Sequence, residues 1–456
     1  MSQVITYLNT NQEQARQELF ELLRIPSIST QIEHADDMVR AGQWMRSRLE
    51  QMGLAAEIIQ TQRHPVVFAQ SGPQAGKPTL LIYGHYDVQP PDPLDEWQSE
   101  PFEPTIRHGA IFARGAADDK GQLMCHVAAA QAWMATKGEL PLNVKFVVEG
   151  EEEVSGDSLA KLLRSDKERL GADYVVISDG SQLGPGAPTI TYGLRGLVYI
   201  EVILSGPAQD LHSGQYGGAV ANPANVLSTL IGGLHDEQGH VTLEGFYEGV
   251  KPIDAQERKD LAQLGCEDDK IKKIIGVEAF SGEEGYSNRE RMWVRPTLDV
   301  NGLVSGYIQP GAKTIIPAKA SAKISMRLVD SQNPKAIAES FKNYFRQRAG
   351  AAVSVEFIEH GLAKPVLIDR SGPGIQAAKR ALEKGFSAPA SFVRTGGSIP
   401  IVSLLAENVS PEILLMGFSQ PDDNAHGPNE KFRLEDYHNG QLAAAYLLGE
   451  LGGTKI

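Results

Sequence analysis

The sequence predicts an α/β sandwich on a mostly parallel sheet, with a second, α+β unit inserted into it. Three observations carry that prediction. Short apolar runs such as "TLLIYGHYDV" (79–88) alternate with helical patterns in the first part of the chain, as a buried parallel sheet covered on both faces requires. From about Leu194 the strands alternate apolar and polar residues, the mark of a half-exposed sheet. After about Lys364 the first pattern resumes, so the middle of the chain reads as an insertion. The boundaries that follow are 1–193, 194–363 and 364–456.

Taken in order, 12–24 and 37–52 read as amphipathic helices, the second ending at Gly53. The run 79–88 is a buried strand closed by the turn-formers Pro90 and Pro91. "GQLMCHVAAAQAWMAT" (121–136) is a helix, "LNVKFVVE" a second buried strand, and "ADYVVISD" (172–179) a third. In the insertion, "RGLVYIEVILSG" is a half-exposed strand, "NPANVLSTLIGGL" a helix, and "TLDVNGL" and "KASAKISMRLV" are further strands before a helix at 334–348. The stretch 236–293 reads as a charged, irregular excursion. A helix at 373–384, a strand near Ile413–Met416 and a helix at 435–451 close the first domain. No internal repeat or low-complexity tract interrupts this order.

Composition narrows the function. A formal charge of −14 leaves no basic surplus to neutralise phosphates, which argues against a nucleic-acid partner. No apolar stretch approaches the roughly 20 residues of a membrane span. The opening "MSQVITYLNTNQEQARQELF" lacks the charged and apolar regions of a signal peptide. The two cysteines, Cys125 and Cys266, are far apart, which suits a reducing cytoplasm and argues against both a disulfide framework and a thiolate zinc site.

Apolar strands that end in charged residues point to chemistry. "LLIYGHYDV" places His85 and Asp87 two apart, on one face of a strand end. "ARGAADDKG" delivers Asp118 and Asp119 where a loop enters a helix, "VVEGEEE" delivers Glu151, Glu152 and Glu153, and "VVISDG" delivers Asp179. "DDNAHGPNE" adds His426 from a turn-rich loop. In a parallel sheet such strand ends share one edge, where ligands bind. Each motif alone has a bland reading: a polar turn, an N-cap pair, a solvated loop. His126, inside a helix, reads as a packed residue. Together, carboxylates so crowded would repel and destabilise the fold unless divalent cations reverse the penalty. Imidazole and carboxylate without cysteine suit zinc, or manganese and cobalt with less discrimination.

The motifs "GHYDVQP", "ARGAADDKG", "EGEEE", "ISDG", "TYGLRG", "DLHSG", "RTGGSIP" and "DDNAHGPNE" resemble the M20 family of di-zinc metallopeptidases, from roughly Leu19 to the C-terminus. Within it the chain is most similar to the branch of cytosolic non-specific dipeptidases and carnosinases. The resemblance implies a catalytic domain with an inserted lid or dimerisation domain, and two divalent metals per subunit. His85 and Asp179 would complete one metal site, Glu153 and His426 the other, and Asp118 would bridge them, followed by a cis peptide to Asp119. Asp87 would orient His85, and Glu152 would be the general base for a bridging water. Glu151 falls at a variable position and is expected to be solvated. His212 would reach the partner subunit's active site and stabilise the oxyanion, which makes a homodimer the working unit. Arg327 would clamp the substrate's terminal carboxylate, with Thr314 near the same clamp and Gly397 and Ser398 contacting substrate backbone.

Two departures bear on substrate. The branch often has Glu where this chain has Thr395, and Gln215 and the 236–293 stretch differ from the carnosinase pattern. The expected function is hydrolysis of dipeptides or small peptides with a free C-terminal carboxylate. Deacylation of N-acyl amino acids is the alternative within the same chemistry. A non-catalytic binding or scaffold protein retaining the fold is the alternative from another class.

Overall fold

A computed structural model of the chain describes residues 1–154, 156–265, 268–397, 399–410 and 412–454, apart from the side chains of Lys270 and Ile274. Cys266 and Ser398 lie outside the described residues. The chain divides into two compact units. The first comprises Met1–Tyr192, Ile368–Val393 and Leu404–Ile456, and the second Gly193–Leu367 with Arg394–Ser403.

A mixed sheet forms the first unit. Its strands run in the spatial order Ala55–Ile59, Val66–Gln70, Asn143–Glu149, Thr79–His85, Tyr174–Ile177, Ile413–Leu415, Thr189–Leu194. The four central strands, from Asn143–Glu149 to Ile413–Leu415, are parallel, and antiparallel strands flank them. Parallel strands need helical crossovers that cover both faces, so these run apolar from end to end: Leu80, Leu81, Ile82 and Tyr83 are all buried. The next two parallel strands in the chain flank Thr79–His85 on opposite sides. That makes it the topological switch point, beside which open α/β sheets bind ligands.

Helix Lys120–Lys137 is the central crossover and is buried over most of its length. It packs on helix Leu434–Leu451, which in turn packs on Pro373–Phe386. Cys125 is a buried free thiol inside it. His126 is packed as expected, its Nε2 facing Ser178 Oγ at 2.7 Å, and burial lowers its pKa to about 3, so the ring is neutral.

The second unit is built on a four-stranded antiparallel sheet in the order Thr297–Ser305, Lys319–Leu328, Gly196–Ser205, Ser354–Ala363. Strict alternation puts Val198, Ile200, Val202 and Leu204 on one face, where Leu227, Phe341 and Phe345 complete the core. The last three come from helices Pro223–Gly232 and Pro334–Arg348, each begun by an Asn cap and a first-turn proline. The stretch 236–293 is charged but not irregular. It holds the short helices Ala255–Gln263, Asp268–Ile275 and Asn288–Trp293. Local caps make such short helices possible: the Asp254 side chain accepts from Glu257 N–H, and Ser287 with Glu290 forms a capping box. Among the described residues no helix is long and apolar enough to cross a membrane.

Candidate metal centre

Parallel order brings the C-terminal ends of the central strands to one edge of the first unit, and ionisable residues follow those ends. His85 closes its strand opposite Glu149. The strand fits there because residue 84 is glycine. A Cβ at that position would lie 2.8 Å from Asp119 Oδ2 and 2.9 Å from Leu123 Cδ1. The buried His85 ring turns Nδ1 to the Asp87 carbonyl at 3.1 Å and to Asp87 Oδ1 at 3.4 Å. Its Nε2 is thereby left facing Asp118 Oδ1 at 3.1 Å and Asp179 Oδ2 at 3.9 Å. Asp87 is fixed in turn, its Oδ2 accepting from Ser29 Oγ–H (2.7 Å) and Glu153 N–H (3.1 Å).

Asp118 presents one oxygen to each side. Oδ1 faces His85, and Oδ2 lies 2.9 Å from His426 Nε2. The peptide joining it to Asp119 is cis. His426 Nε2 also lies 3.3 Å from Glu153 Oε1, while Glu153 Oε2 accepts from Gln89 Nε2–H at 2.8 Å. His426 has φ +65°, in a loop where Asn424 (+55°) and Asn429 (+57°) are also left-handed. Such backbone is uncommon for non-glycine residues and is concentrated at functional sites.

Two triads of potential ligands result: His85, Asp118 and Asp179, and Asp118, Glu153 and His426. Within each, the donor atoms lie within 4.8 Å of one another, and Asp118 belongs to both. Glu152 belongs to neither. Electrostatics separate the members. Burial disfavours the His85 imidazolium, but its hydrogen bonds to Asp118 and Asp87 outweigh that and raise the pKa well above the ordinary histidine value. Asp118 would be pushed up by burial, yet His426 and His85 hold it well below the usual carboxylate range. Burial, then Asp118, raises Asp179 to about 7, and burial with the neighbouring carboxylates raises Glu152 to about 8. Hydrogen bonds donated to Asp118 and Glu153 raise His426 to about 10.

A divalent cation fits this donor set. It has nitrogen and oxygen donors of the kind hard-to-borderline metals take, a carboxylate with an oxygen on each side, and more carboxylates than positive side chains to balance them. Four further acids stand beside these ligands; the sequence motifs deliver Asp119 and Glu151 without a place at the metal centre, and leave Glu149 and Glu430 without a role. Asp119 Oδ2 accepts from His85 N–H at 3.3 Å. Glu149 accepts from Tyr83 Oη–H at 2.7 Å and is raised to about 8, chiefly by burial. Glu430 is fully buried behind Asp118. Glu151 is buried rather than solvated: its Oε1 accepts from His64 N–H at 2.9 Å and so ties the 61–64 loop to the strand end. A local acidic run cannot reveal which member turns inward. Glu430, however, ends the "DDNAHGPNE" motif itself.

The remaining expected residues lie in the second unit. His212 is exposed, its Nδ1 accepting from Gly214 N–H at 2.9 Å. Its strand Leu211–His212 pairs with Ile315–Ile316, and Ser213 N–H reaches the Thr314 carbonyl at 3.1 Å, so His212 and Thr314 are neighbours. Arg327 is half-buried on Lys319–Leu328, opposite Thr297 and Leu197. Arg195, in the "TYGLRG" motif, feels the positive charge of Arg327 and donates to the Gly396 carbonyl at 3.0 Å. Gly397 is exposed and donates to Thr395 Oγ1 at 3.3 Å.

Comparison with known proteins agrees with this geometry. The model of peptidase family M20/M25/M40 matches residues 81–450. The chain is 31% identical to human Beta-Ala-His dipeptidase over 444 residues, 95% of this chain and 85% of that one. It is 32% identical to the Cys-Gly metallodipeptidase of Saccharomyces cerevisiae over 393 residues, covering 84% and 81%. An M20 family metallo-carboxypeptidase from Sulfolobus solfataricus superposes with a TM-score of 0.85 at 32% identity, over 96% of this chain and 99% of that one. The chain belongs to peptidase family M20/M25/M40, in its dipeptidase branch.

Proposed function

We propose that this protein is a cytoplasmic, homodimeric metallopeptidase that hydrolyses the amide bond of dipeptides or other small peptides ending in a free carboxylate. The observation that carries the reading is the pair of imidazole–carboxylate triads joined through Asp118. His85, Asp118 and Asp179 would hold one divalent cation, and Asp118, Glu153 and His426 a second. Zinc suits the donors, and manganese or cobalt are the alternatives. Bound there, the cations supply Lewis acidity and a lowered pKa for the attacking water.

The chain's own residues do the rest. Asp87 holds the His85 ring so that Nε2 points at the carboxylates. Glu152, outside both triads, takes a proton from the attacking water and returns it to the leaving amine. Burial raises the Glu152 pKa, and its ionised form would be favoured with the two sites filled. Arg327 receives the substrate carboxylate, for which a planar guanidinium suits bidentate binding. Thr314 and Gly397 contact the same substrate, and His212 of one subunit supports the oxyanion in the other. A face for the dimer is offered by the edge strand Thr297–Ser305, where Val300, Leu303 and Val304 are exposed.

A second reading has specific support. The similarity to a metallo-carboxypeptidase, with a hydroxyl of Thr395 in place of a carboxylate, favours longer peptides or N-acyl amino acids over an obligate free amine. One experiment separates the readings. Hydrolysis rates are measured for dipeptides, tripeptides and N-acetyl amino acids with zinc or manganese supplied, and with Glu152→Gln as control. Preference for dipeptides and a loss of about 10²–10⁴-fold in Glu152→Gln at unchanged metal content are expected. Full activity in the metal-loaded Glu152→Gln protein would remove Glu152 as the base. No hydrolysis of any substrate with metal present would remove the peptidase reading.

A further inference from the structure

The Glu430 carboxylate is fully buried and holds four donors in the first unit. Oε2 accepts from Arg114 Nη1–H and from Gly115 N–H, each at 2.8 Å. Oε1 accepts from Ala117 N–H at 2.8 Å and from Asp118 N–H at 3.1 Å. The Glu430 carbonyl accepts from Ala113 N–H at 3.1 Å. Residues 113–118 therefore wrap one residue, and that residue sits four positions after His426. Immediately beyond it, Lys431–Arg433 pairs antiparallel with Ala110–Phe112, which fixes the register of the two segments.

We infer that Glu430 is a positioning residue of the metal centre: it sets the Asp118 loop against the His426 loop, so that the shared carboxylate and its imidazole partner meet. The inference rests on the two-cation reading above. Three features favour it over a role in stability alone. All four partners are donors, so the site demands an acceptor with two oxygens. Two of the donated groups, the amides of Ala117 and Asp118, belong to the two peptides that lead into the bridging carboxylate itself. The two connected loops also carry the shortest imidazole–carboxylate contact of the triads, His426 Nε2 to Asp118 Oδ2 at 2.9 Å. An amide at position 430 would present its own N–H₂ to two facing N–H groups, leaving buried donors without an acceptor.

The test is calorimetric titration of zinc, and separately of manganese, into chelator-stripped full-length protein, with bound metal counted by elemental analysis. Wild type, Glu430→Gln, Glu430→Asp and, as a buried-carboxylate control in the second unit, Glu290→Gln are compared. Loss of a group that orients a ligand lowers metal affinity about 10–100-fold. That loss is expected in Glu430→Gln, with activity returning as added metal saturates the sites, while Glu290→Gln binds as wild type. Glu430→Asp keeps the charge but draws the carboxylate back by one methylene. It should also lose affinity, and it decides the question if Glu430→Gln does not fold. Wild-type affinity and stoichiometry in the Glu430 variants, even with lowered thermal stability, would overturn the inference and leave the two-cation reading standing. A wild-type protein that binds neither metal would overturn both.

Discussion

The second unit and the metal centre of the first bury charge in opposite ways. In the second unit, buried acids face guanidinium groups. Glu283 takes two bonds from Arg295, at 2.7 and 2.6 Å, Glu290 takes one from Arg258 at 2.6 Å, and Glu257 pairs with Arg394. Arg295 is further seated over the ring of Tyr286 at 4.4 Å. In the first unit, Asp118, Glu152, Glu153 and Asp179 gather around only two imidazoles, and Asp179 and Glu152 rise to about 7 and 8. A balanced set stabilises a fold. The unbalanced one is instead suited to a ligand that brings positive charge, because an unmatched buried carboxylate costs several kcal/mol. The contrast separates structural charge from functional charge.

The largest break in that contrast is Asp118→Asn. The amide keeps the shape but halves the acceptor capacity that both triads share. Both cations should be lost together, with a fall in hydrolysis on the order of 10³-fold or more, because two-metal sites depend on the bridging group. Elemental analysis against a rate measurement checks it. Retention of one equivalent of metal would show that the triads act separately and that Asp118 is not shared.

Glu283→Gln attacks the other side. It leaves Arg295 with half of its partner inside the second unit, and removing one member of a buried pair costs about 3 kcal/mol. The urea midpoint should fall while metal content and the Michaelis constant stay at wild-type values. A change in metal affinity here would mean that the two kinds of charge are not independent.

These differences explain what the sequence could disclose. The parallel strands were legible because burial on both faces leaves continuous apolar runs, and His85 and Asp179 stand directly beyond them. The flanking strand Val66–Gln70 is as buried as the central ones, yet five residues among polar neighbours gave no distinct signal. Asp118 and His426 sit in motifs with fixed spacing, so their type and order were readable. Glu149, Glu151 and Glu430 were not, since inward orientation is decided by partners far along the chain: Tyr83, His64 and the 113–118 loop. The helices within 236–293 were hidden by their shortness and charge, although Ser287 and Glu290 stand at capping-box spacing. The inclusion of Arg394–Ser403 in the second unit depends on tertiary contacts, such as Arg195 with Gly396, that no local pattern announces.

The smallest expected effect, and the sharpest on mechanism, is the pH dependence of stability with and without metal. In the metal-free protein Glu152 and Asp179 titrate near 8 and 7, raised first by burial, above their unfolded values of about 4. Between those limits the folded state binds more protons than the unfolded one, so this contribution to stability falls as pH rises. His426, raised to about 10 first by its bond to Asp118, acts with the same sign. Its contribution is complete below the unfolded value of about 6.5 and is lost as pH climbs through the folded one. Asp118, held low, has the opposite sign, but only below about pH 4, where its stabilisation is lost as pH falls. The metal-free protein should therefore lose thermal stability between about pH 5.5 and 8.5. Cations require the same groups without their protons, so metal affinity should rise over that range. The gap in melting temperature between metal-loaded and chelator-treated protein should then widen steadily with pH. Calorimetry at neutral pH in buffers of different ionisation enthalpy should register proton release on metal uptake. A constant gap with no protons released would mean that the crowded acids of the first unit are as structural as the paired ones of the second.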